Sequence, residues 1–277
     1  MMEVLSIKNP FNNAPIFHVE TVSSTMDAAR DLAARGFPHG TVIAADRQSA
    51  GRGRTLERAW QSEPGNLYCT LLLRYSGFSD IPKAVTLKTG LAVAYAVEDA
   101  AAGLTRGIHC AALVKWPNDI MLRSASGTDS AKKAAGIISE SDGKTVFIGI
   151  GVNVAQTRFP DHLQKKATSI ACVCGASLEH GYKFRVLEYV LFHMDRELRQ
   201  TDDSWRERLS ERLYMKDKRV RFIAGSAGSD ETVEGILRGI RGDGSLLIEQ
   251  DQTGGKPRGV EAFFTGELDV YPRDLHG

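Results

Sequence analysis

The segment Gly51-Arg52-Gly53-Arg54 joins two residue types suited to holding an anion. Glycine lets the backbone reach φ > 0 and come close to a ligand. Arginine carries a planar cationic fork that matches carboxylates and phosphates. The alternation suits neither helix nor strand, so it describes a cationic loop able to close over a bound anion; a basic surface turn is the plainer alternative. A second candidate is Lys115-Trp116-Pro117-Asn118-Asp119. There a lysine ends a strand, and a proline turn fixes an amide and a carboxylate beside it. A solvated corner would use the same residues, since Asn and Asp favour turns. A third is Gly149-Ile150-Gly151-Val152-Asn153. Two glycines weaken a strand unless something must approach its backbone, and Asn153 offers both donor and acceptor there. The strand-loop-helix setting of a dinucleotide fingerprint is missing, and no GxxxxGK[ST] occurs, so any use of ATP lies outside those two motifs.

Composition bounds the function classes. The 277 residues are 42% hydrophobic and 25% charged, as in ordinary globular proteins, and suggest one large domain plus a small one. A net charge of +1 gives no bulk electrostatic argument for a nucleic-acid partner. No stretch is long and apolar enough for a membrane span, and no leader pattern precedes a cleavage site. Cys69, Cys110, Cys172 and Cys174 form no CxxC pair, and no zinc-type His spacing accompanies them. Reduced thiols and a cytoplasmic location are expected.

The candidate residues need elements to position them. Residues 17–20 read as a strand. Ser24, followed by Asp27, resembles a capping box opening an alanine-rich helix that Gly36 ends. Residues 41–46 form a buried-strand pattern that runs straight into the glycine–arginine loop. Strands are expected at 67–74, 113–116, 132–140 and 145–154, the last two joined at Gly143-Lys144. Helices are expected at 85–102, closed by Gly103, at 183–200 and at 204–214. Beyond Tyr214, short strands at 220–223, 232–237, 245–249 and 267–270, separated by glycines, predict a small β-barrel of roughly 60 residues.

Taken in order, Ser24-Thr25, Gln48, Gly51-Arg52-Gly53-Arg54, Trp60, Gly65-Asn66-Leu67-Tyr68, Lys115-Trp116-Pro117-Asn118-Asp119, Lys133-Ala134-Ala135-Gly136-Ile137, Gly149-Ile150-Gly151-Val152-Asn153 and Ala167-Thr168-Ser169 resemble the bacterial biotin protein ligases. The resemblance spans about residues 18–215, with a weaker echo at Gly266-Glu267. Each motif alone is weak, and their order carries the assignment. The fold class it implies is α+β, a mixed-sheet catalytic domain of the biotin/lipoate ligase type over 1–215 followed by a small SH3-like β-barrel over 216–277. The short segment before Phe17 resembles the monofunctional ligases rather than the ligase-repressors with a DNA-binding domain.

The resemblance implies formation of biotinyl-5′-AMP from biotin and Mg2+–ATP, then transfer of biotin to a lysine of a biotin carboxyl carrier protein or domain. Nucleic acid and membrane are not expected partners, and the oligomeric state stays open, a homodimer included. Lys115 and Arg54 take the catalytic roles it implies. Ser24, Thr25, Gln48, Gly51, Arg52, Lys115 and Gly136 take biotin; Arg54, Trp60, Asn118 and Asn153 take the nucleotide; Asp119 helps position Mg2+. A helix cap at Ser24 and a core tryptophan at Trp60 are the structural alternatives. Met26, Leu56 and Tyr271 depart from the family pattern, with Arg273 near the last. A lipoate or octanoate ligase of the same fold and a biotin-sensing module without turnover are the competing functions; a polar Gln48 in the pocket separates the first, and release of pyrophosphate the second.

Overall fold

The computed structural model describes residues 2–54, 60–104, 110–124, 130–225, 231–250 and 259–269. Eight strands form one mixed sheet: β1 (Met2–Val4), β2 (Ile16–Val22), β3 (Val42–Gln48), β4 (Leu67–Arg74), β5 (Cys110–Lys115), β6 (Asp119–Ser124), β7 (Lys132–Ser141) and β8 (Thr145–Val152). Their order is β1-β2-β3-β4-β8-β7-β6-β5. The β2/β3 pair is parallel and the others are antiparallel. Parallel neighbours need a crossover, here helix α1 (Thr25–Ala34).

Side chains alternate between the two faces of a strand, and the sheet uses both. Ile43 and Leu72 join Met26, Ala29 and Leu32 of α1 in a small cluster on one face. Val42, Ala44, Leu71 and Leu73 point the other way into the main core. That core is covered by α2 (Val85–Ala102) and, beyond the short α3 (Asp161–Gln164) and α4 (Ile170–Cys174), by α5 (Tyr182–Arg199) and α6 (Ser204–Arg212). Ala92, Ala94, Ala96 and Ala100 of α2 are fully buried, and such small side chains let α5 pack close.

A second, separate sheet of five antiparallel strands follows: β9 (Arg219–Ala224), β10 (Thr232–Ile240), β11 (Leu246–Gln250), β12 (Val260–Phe263) and β13 (Gly266–Asp269), in the order β12-β11-β10-β9-β13. Among the described residues β12 and β13 do not pair with one another, so the expected barrel is seen as an open sheet. Phe222, Leu237, Leu246 and Leu268 belong to the main core, which joins the two sheets.

The expected elements appear with shifted ends, and 67–74 and 85–102 keep their bounds. Three strands escaped the sequence reading. Strand β6 was read as a turn, because Pro117, Asn118 and Asp119 carry turn chemistry. The turn is confined to Trp116–Asn118, with a cis Trp116–Pro117 bond, and Asp119 already pairs with Lys115. The three exposed residues of β1 and the four exposed or half-buried residues of β12 give no alternating pattern to read. At α1, Ser24 does cap the helix, its Oγ accepting the Met26 N–H at 3.2 Å, while Asp27 turns to Arg52 instead of completing a box.

Candidate active site

Strands β7 and β8 form a floor stripped of side chains. Gly136 lies directly opposite Gly151, and Gly149 lies two residues before it on the same face. A Cβ on Gly136 or Gly151 would stand 2.8 Å from the Trp60 indole, and one on Gly149 would stand 2.8 Å from Met26 Sδ. The glycines therefore admit Trp60 flat against the sheet and Met26 beside it. This accounts for the departure at Met26, whose thioether fills space that the missing side chain at 149 leaves.

Two cavities meet over this floor. The smaller, about 60 Å³, is lined by Ser24, Thr25, Met26, Gln48, Arg52 and the glycines of β7 and β8. The larger, about 320 Å³, is lined by Lys115, Trp116, Asp119, Asn153, Gln156, Phe159, His162 and Glu267 among others. Gly53, Arg54, Trp60, Asn118 and Lys133 line both. The fold thus gathers the sequence-selected residues into one bipartite site, except Gly51, which lines neither cavity. Its carbonyl accepts the Trp60 N–H at 3.0 Å, and a Cβ there would lie 2.6 Å from the Trp60 carbonyl. Gly51 thus closes the loop onto Trp60. Leu56, Tyr271 and Arg273 lie outside the described residues.

The smaller cavity has a polar end. Thr25 sits where α1 begins and Gln48 where β3 ends. Gln48 Oε1 accepts from the Thr25 backbone N–H at 2.9 Å and from its hydroxyl at 3.1 Å. Thr70 Oγ1 donates to Thr25 Oγ1 at 2.9 Å, and Gln48 Nε2 donates to Ser62 Oγ at 3.4 Å. A neutral polar group entering here meets oriented hydroxyls and an amide. Arg52 forms an ion pair with Asp27 at the first turn of α1.

The cations converge from three directions. Lys115 ends β5, is buried, and lines the larger cavity. Arg54 donates from Nη1 to the Gly266 carbonyl at 2.8 Å and places Nη2 3.6 Å from Glu267 Oε2. Lys133, on β7, was quoted within a motif but given no role by the sequence reading. Its ammonium lies 2.6 Å from Asp119 Oδ1 and 5.3 Å from the Trp60 ring centre, at the junction of the cavities. The available signal was its place three residues before Gly136: a bulge between Ile120 and Met121 shifts the β6/β7 register beside it. No spacing rule anticipates a bulge.

Other motif residues brace the site. Asn118 Nδ2 donates to the Ile137 carbonyl at 2.9 Å, and Asn153 Nδ2 to the Thr168 carbonyl at 3.0 Å. Asn66 is fully buried; its Oδ1 accepts the Val154 N–H at 2.8 Å, fixing the chain just beyond Asn153. The Tyr68 hydroxyl donates to the Glu63 carbonyl at 2.9 Å, and burial pushes its pKa up to about 12, so it remains a neutral strut. The Gly65–Tyr68 motif is thus scaffold.

Comparison with known proteins bears on the family and the fold. The sequence profile of the biotin/lipoate A/B protein ligase family matches residues 18–154. The chain is 31% identical over 273 residues to the bifunctional ligase/repressor BirA of Bacillus subtilis, covering 92% of this chain and 73% of that protein. It is 28% identical over 244 residues to the biotin–[acetyl-CoA-carboxylase] ligase of Mycobacterium tuberculosis, covering 83% of each. The fold resembles that of the Aquifex aeolicus biotin protein ligase solved with biotin and ATP, with TM-score 0.69 and 24% identity over 91% of this chain and 97% of that one. Carrying the ordered motifs on the matching sheet, with the glycine floor and the cations gathered above it, the chain belongs to the biotin/lipoate A/B protein ligase family, as a biotin protein ligase.

Proposed function

We propose that this protein joins biotin to a lysine of a biotin carboxyl carrier protein or domain through biotinyl-5′-AMP, using ATP. The observation that carries the reading is the shared lip of the two cavities, where Arg54 and Lys133 stand beside Trp60 and Asn118. In the first step a carboxylate oxygen of biotin attacks the α-phosphorus of ATP and pyrophosphate leaves. Two anions must be held in contact, which suits a junction of cations between a small site and a large one. Biotin's ring system sits in the smaller cavity, its ureido group meeting Thr25 and Gln48, with Ser24 behind as the helix cap. The nucleotide occupies the larger cavity with Asn153, and Trp60 forms the partition. Preorganised charge at such a junction is commonly the largest catalytic contribution. In the second step the carrier lysine attacks the acyl carbonyl and AMP leaves. A lysine with a pKa near 10.4 is neutral in roughly one molecule in a few thousand at pH 7, so the activated anhydride and held geometry supply the rate.

Asp119 is held by Lys133, and among the described residues no three His, Cys, Asp or Glu side chains gather as a metal cage. Mg2+ at a nucleotide is held mainly by the phosphates and waters with one or two carboxylates, and Asp119, which lines the larger cavity, is the carboxylate assigned to it. Residues 1–215 are assigned to catalysis and 216–277 to a C-terminal domain that abuts the site through Glu267. No helix among the described residues is long and apolar enough to cross a membrane, and the four free cysteines fit a reducing cytoplasm.

Gln48 in the smaller cavity favours biotin over a straight acyl chain, which has nothing to offer that amide. The test is incubation with ATP, Mg2+ and either biotin or lipoate, following pyrophosphate and transfer to a carrier-domain lysine. Biotin-dependent pyrophosphate release and labelling are expected. Lipoate preference would select the alternative ligase, and binding without pyrophosphate a sensing module.

A further inference from the structure

Thr25 and Gln48 meet at the polar end of the smaller cavity, and proton counting orders their donors and acceptors through a third residue, Thr70. A backbone N–H only donates. The Thr25 N–H opens α1 and has no partner within the helix, so it fixes Oε1 as the end of the Gln48 amide that faces it, at 2.9 Å. That oxygen also takes the Thr25 hydroxyl proton, at 3.1 Å. A hydroxyl has a single proton, so Thr25 meets Thr70 as an acceptor and Thr70 must donate, at 2.9 Å. Two groups are left for a ligand. Gln48 Nε2 keeps an N–H, because its other contact is one long bond of 3.4 Å to Ser62 Oγ. Thr25 Oγ1 keeps a lone pair. We propose that Thr70 is a positioning residue: by spending its proton on Thr25 it makes that hydroxyl an acceptor. The cavity then sets an acceptor beside the Gln48 donor and fits a ligand edge with N–H next to C=O, as in a cyclic urea. The match to biotin rests on the function proposed above; the ordering of Thr25 and Gln48 does not.

Strand alternation places Thr70 for this task. Successive β4 side chains face opposite ways. Cys69, Leu71 and Leu73 enter the main core, and Leu72 joins Met26, Ala29 and Leu32 beneath α1. Thr70 shares the Leu72 face, opposite Ile43 of β3 and Gly149 of β8, and is fully buried. A hydroxyl buried on an apolar face costs free energy unless it is bonded, and among the described residues this one bonds Thr25 alone. Thr70 does not line the cavity, so it acts through Thr25 rather than on a ligand. In the sequence it passes as an ordinary β-branched strand residue. Valine would serve that purpose equally well, whereas it cannot replace the hydroxyl.

The full chain with Thr70→Val, Thr70→Ser and Gln48→Ala tests this twice. Without ligands, hydrogen exchange resolved by NMR reads the Thr25 amide, which Gln48 Oε1 protects. In Thr70→Val a lone pair of Thr25 faces methyl groups, so the hydroxyl turns away and Gln48 loses one of its two holds. The Thr25 amide should then exchange roughly three-fold faster or more, as it should in Gln48→Ala, while Thr70→Ser stays near the parent. Parent-like exchange in Thr70→Val overturns the ordering, whatever the enzyme does. With biotin and Mg2+–ATP, Thr70→Val should raise the KM for biotin roughly five-fold or more, leaving kcat and the KM for ATP within about two-fold of the parent at a similar melting temperature. Thr70→Ser, which keeps the hydroxyl and loses the methyl, should restore the parent's KM for biotin. A role in packing alone predicts the reverse order, with serine worse than valine. That order, or an unchanged KM for biotin in Thr70→Val, overturns the positioning role. A parent protein that uses no biotin removes the proposed function, while Thr25 exchange still decides the ordering.

Discussion

Lys115 and Lys133 approach Asp119 by different routes. Lys115 faces it across the β5/β6 backbone pairing, whereas Lys133 sends its ammonium to the carboxylate from β7. Only Lys133 lines both cavities, so it is placed to touch both anions as they react. Removing one preorganised donor costs on the order of 10²–10³ in rate. Lys133→Ala should therefore lower biotin-dependent pyrophosphate release by about 100-fold or more, and Lys115→Ala by about tenfold or more, with circular dichroism unchanged. Parent-like pyrophosphate release from Lys133→Ala would remove it from the chemistry. The sequence displayed both lysines in motifs, yet singled out Lys115 alone. A lysine at a strand end looks exposed to a ligand, and the bulge that brings Lys133 to the junction leaves no mark in residue spacing.

At the scale of elements, β8 makes room and β2 and β3 hold the frame. Because Gly151 abuts Trp60 at 2.8 Å, a methyl there must displace the indole. Overpacking of this kind costs about 1–3 kcal/mol. Gly151→Ala should weaken biotin binding by roughly five-fold or more, measured by calorimetric titration; unchanged affinity would show that Trp60 yields freely. Farther along the sheet, Asp46 of β3 takes Lys183 from α5 and His18 Nε2 at 2.8 Å, and His18 Nδ1 meets Glu3 of β1 at 2.8 Å. Burial alone would raise the Asp46 pKa, but the hydrogen bonds and charges of Lys183 and His18 outweigh it and hold it below the usual carboxylate value. A depressed folded-state pKa stabilises the protein above the unfolded value near 3.9, and that contribution is lost as pH falls through the folded value. Asp46→Asn should thus cost about 1–3 kcal/mol at pH 7, and the gap to the parent should begin to narrow below about pH 4. Denaturant melts at pH 7 and pH 3.5 check the sign; a gap that widens in acid would refute the clasp. None of these long-range partners could be paired from sequence, because residues 3, 18, 46 and 183 meet only after the strands align.

Over the whole molecule, one core binds the two sheets. Phe222 of β9 is fully buried in the cluster that includes Leu91 of α2 and Val114 of β5. With Trp116 wedged against it, the second sheet has no separate core on which to unfold alone. Calorimetry should show a single cooperative transition, and Phe222→Ala should lower stability by about 3–5 kcal/mol while also loosening the catalytic hairpin. Two resolved transitions in the parent would mean that the sheets are energetically independent.

The sequence by itself determined the family, the four longer helices, most of the strands and the residue types of the site; the short α3 and α4 were not legible. These are written locally: period-2 and period-3.6 patterns, glycine at turns and at the floor, and cations beside proline. Tertiary structure decided which cations stand at the junction, that Gly51 closes the loop onto Trp60, and that Arg54 leans on a strand 212 positions away. It also decided that Met26 and Trp60 share the space three glycines leave. Those outcomes depend on register, a bulge and contact between distant segments, and such relations arise only when the sheets assemble.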